Sequence, residues 1–144
     1  MSTTNQFWLV KQEPEKYPWN QFLKEKKTHW DGVRNYQARN NLRKMKQGDW
    51  VFFYRSVVDP AVQGLCQVTR EAYPDPTAQS GDWSVVDLKA VCTLNREVPL
   101  QEIKQDPSLS EIALIKQSRL SVMPLSRKEF YRILKLAKTN LDPS

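Results

Sequence analysis

The chain is poor in the residues on which most active sites depend. It has one histidine, His29, and two cysteines, Cys66 and Cys92, among 144 residues, with no Cys-x-x-Cys pair. A zinc centre of three or four Cys/His ligands therefore lacks donors, and the zinc arrangement of nucleobase deaminases is excluded with it. With four glycines in all, neither a G-x-G-x-x-G fingerprint nor a P-loop can be written. A Ser-His-Asp triad would have to use His29, which sits beside Trp30 with no serine in a nucleophile elbow. Glu13 and Glu15 flank Pro14 and read as solvated turn residues, not as an acid–base pair. No apolar run approaches the ~20 residues that span a bilayer. The opening MSTTNQFWLVKQEP lacks the basic flank and apolar stretch of a signal peptide. These absences favour binding over catalysis. They lead us to expect a cytoplasmic protein, nuclear if the source is eukaryotic, with no metal, no cofactor and no membrane partner.

What remains is an ordinary folded composition, 40% hydrophobic and 26% charged, of a size suited to a single domain over residues 1–144. Cys66 and Cys92 lie in separate apolar runs and read as reduced core residues. The net charge of +6 is unevenly distributed. Residues 11–46 carry ten Lys/Arg against four Asp/Glu, residues 116–138 carry seven against one, and residues 47–115 carry five against ten, with Asp142 also acidic. Two basic segments around an acidic middle make one positive face if the ends meet in space. Such a face suits a polyanion.

Hydrophobic patterning gives several strands with scattered short helices. Phe7–Val10 reads as a buried strand, and Pro18 opens a short helix carrying Trp19, Phe22 and Leu23. Ala38, Leu42 and Met45 recur at helical spacing. Trp50–Tyr54, Val62–Tyr73 and Val85–Leu94 are strand candidates, Pro99–Lys104 a short helix, and Leu120–Met123 an edge strand ended by Pro124. Ser108/Glu111 and Ser126/Glu129 have capping-box spacing, the second opening a helix with Phe130, Ile133, Leu134 and Ala137 inward. The order is too irregular for a βαβ series and fits an α+β domain built on a small curled sheet or barrel.

The stretch His29–Arg43, HWDGVRNYQARNNLR, is neither a good helix nor a good strand. It mixes aromatic faces with amide and guanidinium donors, which is what a pocket for a planar, hydrogen-bonding ligand such as a nucleobase requires. Of the five tryptophans, Trp8 and Trp50 sit in strands and read as core, and Trp19 as the anchor of its helix. Trp83 follows Gly81-Asp82 and could cap either the core or a pocket rim. Trp30 alone has polar neighbours on every side, which makes it the first candidate for a stacking platform.

The same residues carry a family resemblance. The run Trp30-Asp31-Gly32-Val33-Arg34-Asn35-Tyr36-Gln37-Ala38-Arg39-Asn40, continued by Leu42-Arg43, Met45-Lys46 and Gly48-Asp49, resembles the signature of EVE domains. Trp8–Pro14 is similar to that family's opening WLxKSEP, and Arg70–Thr77 and Ser118–Val122 resemble two later blocks. The resemblance implies a PUA-like fold: a compact β-barrel of about five to six strands with flanking short helices. It implies recognition of a modified base in DNA or RNA, 5-substituted cytosines first, and the related YTH domains hold N6-methyladenine in an aromatic cage. The chain departs from the pattern at Gln12 (usually Ser), Arg55 (usually His) and Ala61 (usually Gly), and segment 78–82 is short.

On this reading Trp30 stacks on the base. Asn35, Tyr36 and Gln37 supply edge contacts or shape the wall, and Lys11, Arg34, Arg39 and Arg119 hold phosphates or the pocket floor. Asp31, Gly32, Asn40, Tyr54, Arg55, Trp83 and Ser118 complete the expected ligand-binding set. The partner is nucleic acid carrying a modified base. Two other classes stay open: a small-ligand or nucleotide sensor or interaction module, and an enzyme acting on a base.

Overall fold

The run Trp50-Val51-Phe52-Phe53-Tyr54 is apolar at consecutive positions, so a strand built from it presents greasy side chains on both faces and needs cover on both. The computed structural model, which describes residues 5–141, provides that cover. Residues 1–4, part of the opening read above against a signal peptide, and the acidic Asp142 lie outside the described span. In chain order the elements are β1 (Phe7–Gln12), α1 (Trp19–Glu25), β2 (Lys27–Trp30), α2 (Tyr36–Lys44), β3 (Trp50–Arg55), β4 (Ala61–Pro74), β5 (Ser84–Pro99), α3 (Leu100–Gln105), α4 (Ala113–Lys116), β6 (Val122–Leu125) and α5 (Arg127–Leu136). A 3-10 turn at Pro107–Leu109 separates α3 from α4.

The strands form one mixed sheet in the order β2-β5-β4-β3-β1-β6, with β1 parallel to β3 and the other neighbours antiparallel. On one side Phe7 and Phe52 pack on Phe130 of α5, with ring centres 4.4 and 4.7 Å away. On the other side Phe53 meets Trp19 at 5.2 Å and Trp30 at 5.8 Å. That last contact measures the curl. Trp30 on β2 is three strands from Phe53 in the hydrogen-bonding order, about 14 Å in a flat sheet, yet their rings touch.

The sheet curls without closing. Among the described residues β2 and β6 each pair with one strand, so the closed barrel implied by the family resemblance is replaced by an open, coiled six-stranded sheet. β2 has four residues, and β6 has four including Pro124, which lacks an N–H and belongs on an edge. Side chains fill the seam instead: Tyr17 lies against Trp30, ring centres 6.3 Å apart, and Tyr17 and Trp19 both pack on Phe22.

Local chemistry accounts for most boundaries. Ser126 and Glu129 form the expected capping box of α5, with Glu129 N donating to Ser126 Oγ at 3.1 Å and Ser126 N to Glu129 Oε1 at 2.8 Å. The Ser108/Glu111 box does not form. Asp106 caps that turn by accepting from Ser108 N at 2.8 Å, and Glu111 pairs with Lys116 at 3.1 Å. Two strands run further than expected: β5 reaches Pro99, and β6 starts at Val122 and includes Pro124. Gly64 on β4 is where Trp19 presses onto the sheet. A Cβ there would stand 2.2 Å from the indole, whose Nε1 donates to Thr93 Oγ1 at 2.8 Å. Cys66 is buried, Cys92 half-buried, and both are free.

Candidate nucleic-acid interface

The seam between β1 and β2 opens into a cavity of about 510 Å³. Gln12 at the end of β1, Lys16 and Tyr17 from the following turn, and Thr28, His29, Trp30, Asp31 and Gly32 from β2 and its exit line it. The turn is built on Glu13, whose carbonyl accepts from Lys16 N and Tyr17 N at 3.0 Å each. Tyr17 donates its hydroxyl to Glu25 at 2.6 Å, and burial, then the Glu25 carboxylate, push its pKa up to about 12. The phenol is therefore a fixed neutral wall. The cavity is mostly polar, lined by two aromatic rings, and large enough to take a nucleobase with its sugar.

Trp30 corrects the reading of residues 29–43 as irregular. It ends strand β2 and is 4% exposed, packed on Phe53 and Tyr17. Successive strand residues point to opposite faces, so the polar neighbours His29 and Asp31 say nothing of where the indole goes. Trp30 lines the cavity from inside the core and is not an exposed platform. Thr28 shares its inward face.

Asp75 holds the loop after Trp30 in place. Its carboxylate, fully buried at the side-chain level, accepts from Gly32 N at 2.9 Å, Arg34 Nη1 at 3.0 Å, Thr77 N at 2.8 Å and Thr77 Oγ1 at 2.6 Å. Burial alone would raise its pKa. The donors from Thr77, Gly32 and Arg34 outweigh it and hold the group at about 2. Gly32 makes this turn with φ +77°, in the left-handed region that glycine enters freely. Asp75 entered the sequence reading only within the Arg70–Thr77 block and was given no role at the site, although Asp-Pro-Thr is a turn signal in which the aspartate can bond backbone two residues on.

The other expected residues separate into groups. Asn35 is the N-cap of α2, its side chain accepting from Ala38 N at 2.9 Å, so the amide oxygen is committed to the helix. Gln37 and Asn40 are exposed on α2, Asn40 accepting from Arg39. Tyr36 and Trp83 stack, with centres 5.1 Å apart and planes 17° from parallel. Arg39 lies 5.0 Å from the Tyr36 centre, and Arg34 lies 5.6 Å from that of Trp83.

Lys11 and Tyr54 are register partners on β1 and β3. The Lys11 ammonium donates to the Ser118 carbonyl at 2.7 Å, and burial lowers its pKa, while Tyr54 is pushed up to about 12 by burial. Neither lines the Trp30 cavity; they form the structure beside it. Ser118 and Arg119 are exposed. Arg55 does not line the Trp30 cavity; it is held by Glu97 at 2.8 Å and by the Val58 and Asp59 carbonyls, and it borders a smaller cavity of about 210 Å³ that shares Gln12 and Tyr17 with the first. It also borders a separate groove of about 530 Å³.

His29 Nδ1 lies 2.7 Å from Asp87, which also accepts from Tyr73, so the chain's one imidazole is tied to a carboxylate at the cavity rim. Among the described residues no cluster of three His, Cys, Asp or Glu is placed to hold a metal, and no helix is long and apolar enough to cross a membrane.

The sequence and the fold are both similar to those of known proteins. The EVE domain model matches residues 6–136. Thymocyte nuclear protein 1 of Mus musculus is 37% identical over 172 aligned positions, covering 96% of this chain and 75% of the mouse protein. The crystal structure of a protein from Agrobacterium tumefaciens has a TM-score of 0.91 at 38% identity, over 96% of this chain and 97% of that one. Human THYN1, crystallised in complex with 5-methylcytosine-containing DNA, has a TM-score of 0.84 at 34% identity, over 95% of this chain and all of the other.

Proposed function

Because this chain belongs to the EVE domain family, we propose that it is a noncatalytic binding module that takes a modified base of DNA, a 5-substituted cytosine, into the cavity at the seam of its sheet. The observation that carries the reading is that cavity: large enough for a nucleobase and its sugar, polar at its walls, backed by Tyr17 and Trp30, and opening beside the loop that Asp75 fixes. We read the coiled sheet as a PUA-like barrel whose seam is left open to receive the base. The human relative's complex with 5-methylcytosine-containing DNA supports DNA over RNA.

In this reading the Tyr17 and Trp30 rings give the apolar contact for a 5-methyl group. The Asp31 carboxylate accepts from the cytosine amino group, a pairing that cytosine's donor favours. The Gln12 amide and Thr28 hydroxyl meet the remaining edge, and Lys16, Arg34 and Arg39 contact the backbone. A base reaches such a cavity only after leaving the stack, at a cost of a few kcal/mol that is least where pairing is already weak. One methyl contributes ~1–3 kcal/mol of discrimination, so total affinity rests largely on phosphates. The compartment that fits is the cytoplasm, or the nucleus in a eukaryote.

Fluorescence anisotropy with one short oligonucleotide carrying cytosine, 5-methylcytosine or 5-hydroxymethylcytosine at a single position tests this. We expect a preference of about ten-fold for a 5-substituted base, larger in a single strand or opposite a mismatch than in a perfect duplex. Thr28→Tyr, which fills the cavity from an inward strand position, should abolish the preference and leave weak salt-sensitive binding. Equal affinity across the panel defeats the proposal. Free nucleotides binding as tightly as the oligonucleotide would favour a small-ligand sensor, and conversion of the base would favour an enzyme.

A further inference from the structure

We propose that the Tyr36–Trp83 stack is a second nucleic-acid contact, a platform on which an unpaired base flanking the recognised one stacks while arginines take the adjoining phosphates. This rests on the reading of the Trp30 cavity. Tyr36 is 67% exposed, although it sits at the first position of α2, where an aromatic ring has no core to serve. One face of its ring is covered by Trp83. Arg39 lies 5.0 Å from the Tyr36 centre and 5.9 Å from that of Trp83. A guanidinium on the outer face of Tyr36 would lie about twice as far from Trp83, so Arg39 flanks the pair and the outer face stays open.

The surroundings select the occupant. Arg34, Arg39 and Arg43 border the stack: Arg34 pairs with the Asp75 carboxylate and Arg43 with that of Asp82 and with Ser84 Oγ, while Arg39 donates to the Asp82 carbonyl and to Asn40 Oδ1 and is the one whose charge is offered to a phosphate. Their guanidinium planes are thus positioned before any ligand arrives. An open aromatic face among fixed arginines matches a single strand, whose bases all offer a π-face and whose phosphates are anionic.

The platform is also close to the cavity. Gly32 at the cavity wall and Tyr36 are four residues apart, so their Cα atoms are separated by at most about 14 Å. Asp75 bonds both Gly32 and Arg34, and Arg34 lies 5.6 Å from the Trp83 ring centre. One carboxylate therefore holds the cavity wall and the platform in a fixed relation, suited to reading a base and its neighbour together.

The test compares two probes, 5-methyl-dCMP and a single-stranded oligonucleotide carrying the same base centrally, on wild type, Tyr36→Ser and Thr28→Tyr. Tyr36 is exposed, so its variant should fold and melt like wild type, which thermal unfolding checks. Loss of one stacking partner should weaken oligonucleotide binding about ten-fold and leave the mononucleotide unchanged; Thr28→Tyr should lose the mononucleotide. With 2-aminopurine placed in turn beside the modified base, one flanking position should be quenched by wild type and not by Tyr36→Ser. Unchanged oligonucleotide affinity in Tyr36→Ser overturns the platform. An equal loss for both probes also overturns it, because Tyr36 would then be shaping the cavity. Failure of the cavity reading shows separately, as no preference of the wild type for the modified base, and the oligonucleotide comparison still decides the platform.

Discussion

Replacing Asp75 by asparagine should destabilise the protein by about 3 kcal/mol at neutral pH, and the deficit should shrink in acid. Each carboxylate oxygen of Asp75 accepts two donors: Oδ2 from Gly32 N and Arg34, Oδ1 from Thr77 N and Oγ1. An amide in either orientation turns its NH2 towards two of them. Leaving buried donors unmatched costs roughly 1–3 kcal/mol each, moderated because Arg34 and Thr77 can reach water. Linkage gives a similar figure. The native pKa of about 2 lies below the ordinary ~3.9 of an unfolded aspartate, worth about 2.5 kcal/mol. Because the native value is the lower one, this stabilisation is complete above about pH 4 and is lost as the pH falls through about 2. Urea unfolding of both proteins from pH 7 down to the lowest pH at which each still folds should show the gap narrowing below pH 4. A gap that stays constant with pH, or a variant as stable as wild type at pH 7, would refute the role of Asp75 as a charged hub.

Three further outcomes follow from the packing and charge. Trp30→Ala removes a buried indole and should cost ~3–5 kcal/mol of stability, so lost binding by this variant will accompany unfolding. A melting temperature within about 2 °C of wild type would show that Trp30 is not core. Gly64→Ala sets a methyl 2.2 Å from the Trp19 ring and should destabilise by about 1–3 kcal/mol or more. Thermal unfolding should show the loss partly relieved when Trp19→Phe is added, and an unshifted melt would mean the strand yields freely. If four phosphates are contacted, log K against log salt for duplex DNA should slope at about −3 to −4. A flat response would point to a free small ligand.

The elements fixed by local chemistry were legible in the sequence. WVFFY became β3, the 3.6-residue spacing of Ala38 and Leu42 became α2, and the Ser126/Glu129 box opened α5. Where long-range pairing decides, the sequence was silent. Lys-Thr-His-Trp carries no strand pattern, and 27–30 becomes β2 because it pairs with residues 86–89 of β5. The same cause misplaced Trp30: its polar neighbours belong to the other face of a strand not visible in the sequence. Tyr36, Arg39 and Trp83 were each legible as candidates, but their assembly was not. It depends on the β4–β5 connection carrying Trp83 back over α2, 46 intervening residues after Tyr36. Gln12, Tyr17 and Thr28 came to the cavity through the curl of the sheet, which no local pattern encodes.

The central claim is that the modified base sits in the seam cavity. NMR of the complex with a strand whose single 5-methylcytosine carries a 13C-labelled methyl group tests it directly. The account predicts contacts from that methyl to Tyr17, Trp30 and Thr28. Contacts confined to Tyr36 and Trp83, or to none of these residues despite saturating binding, would contradict it.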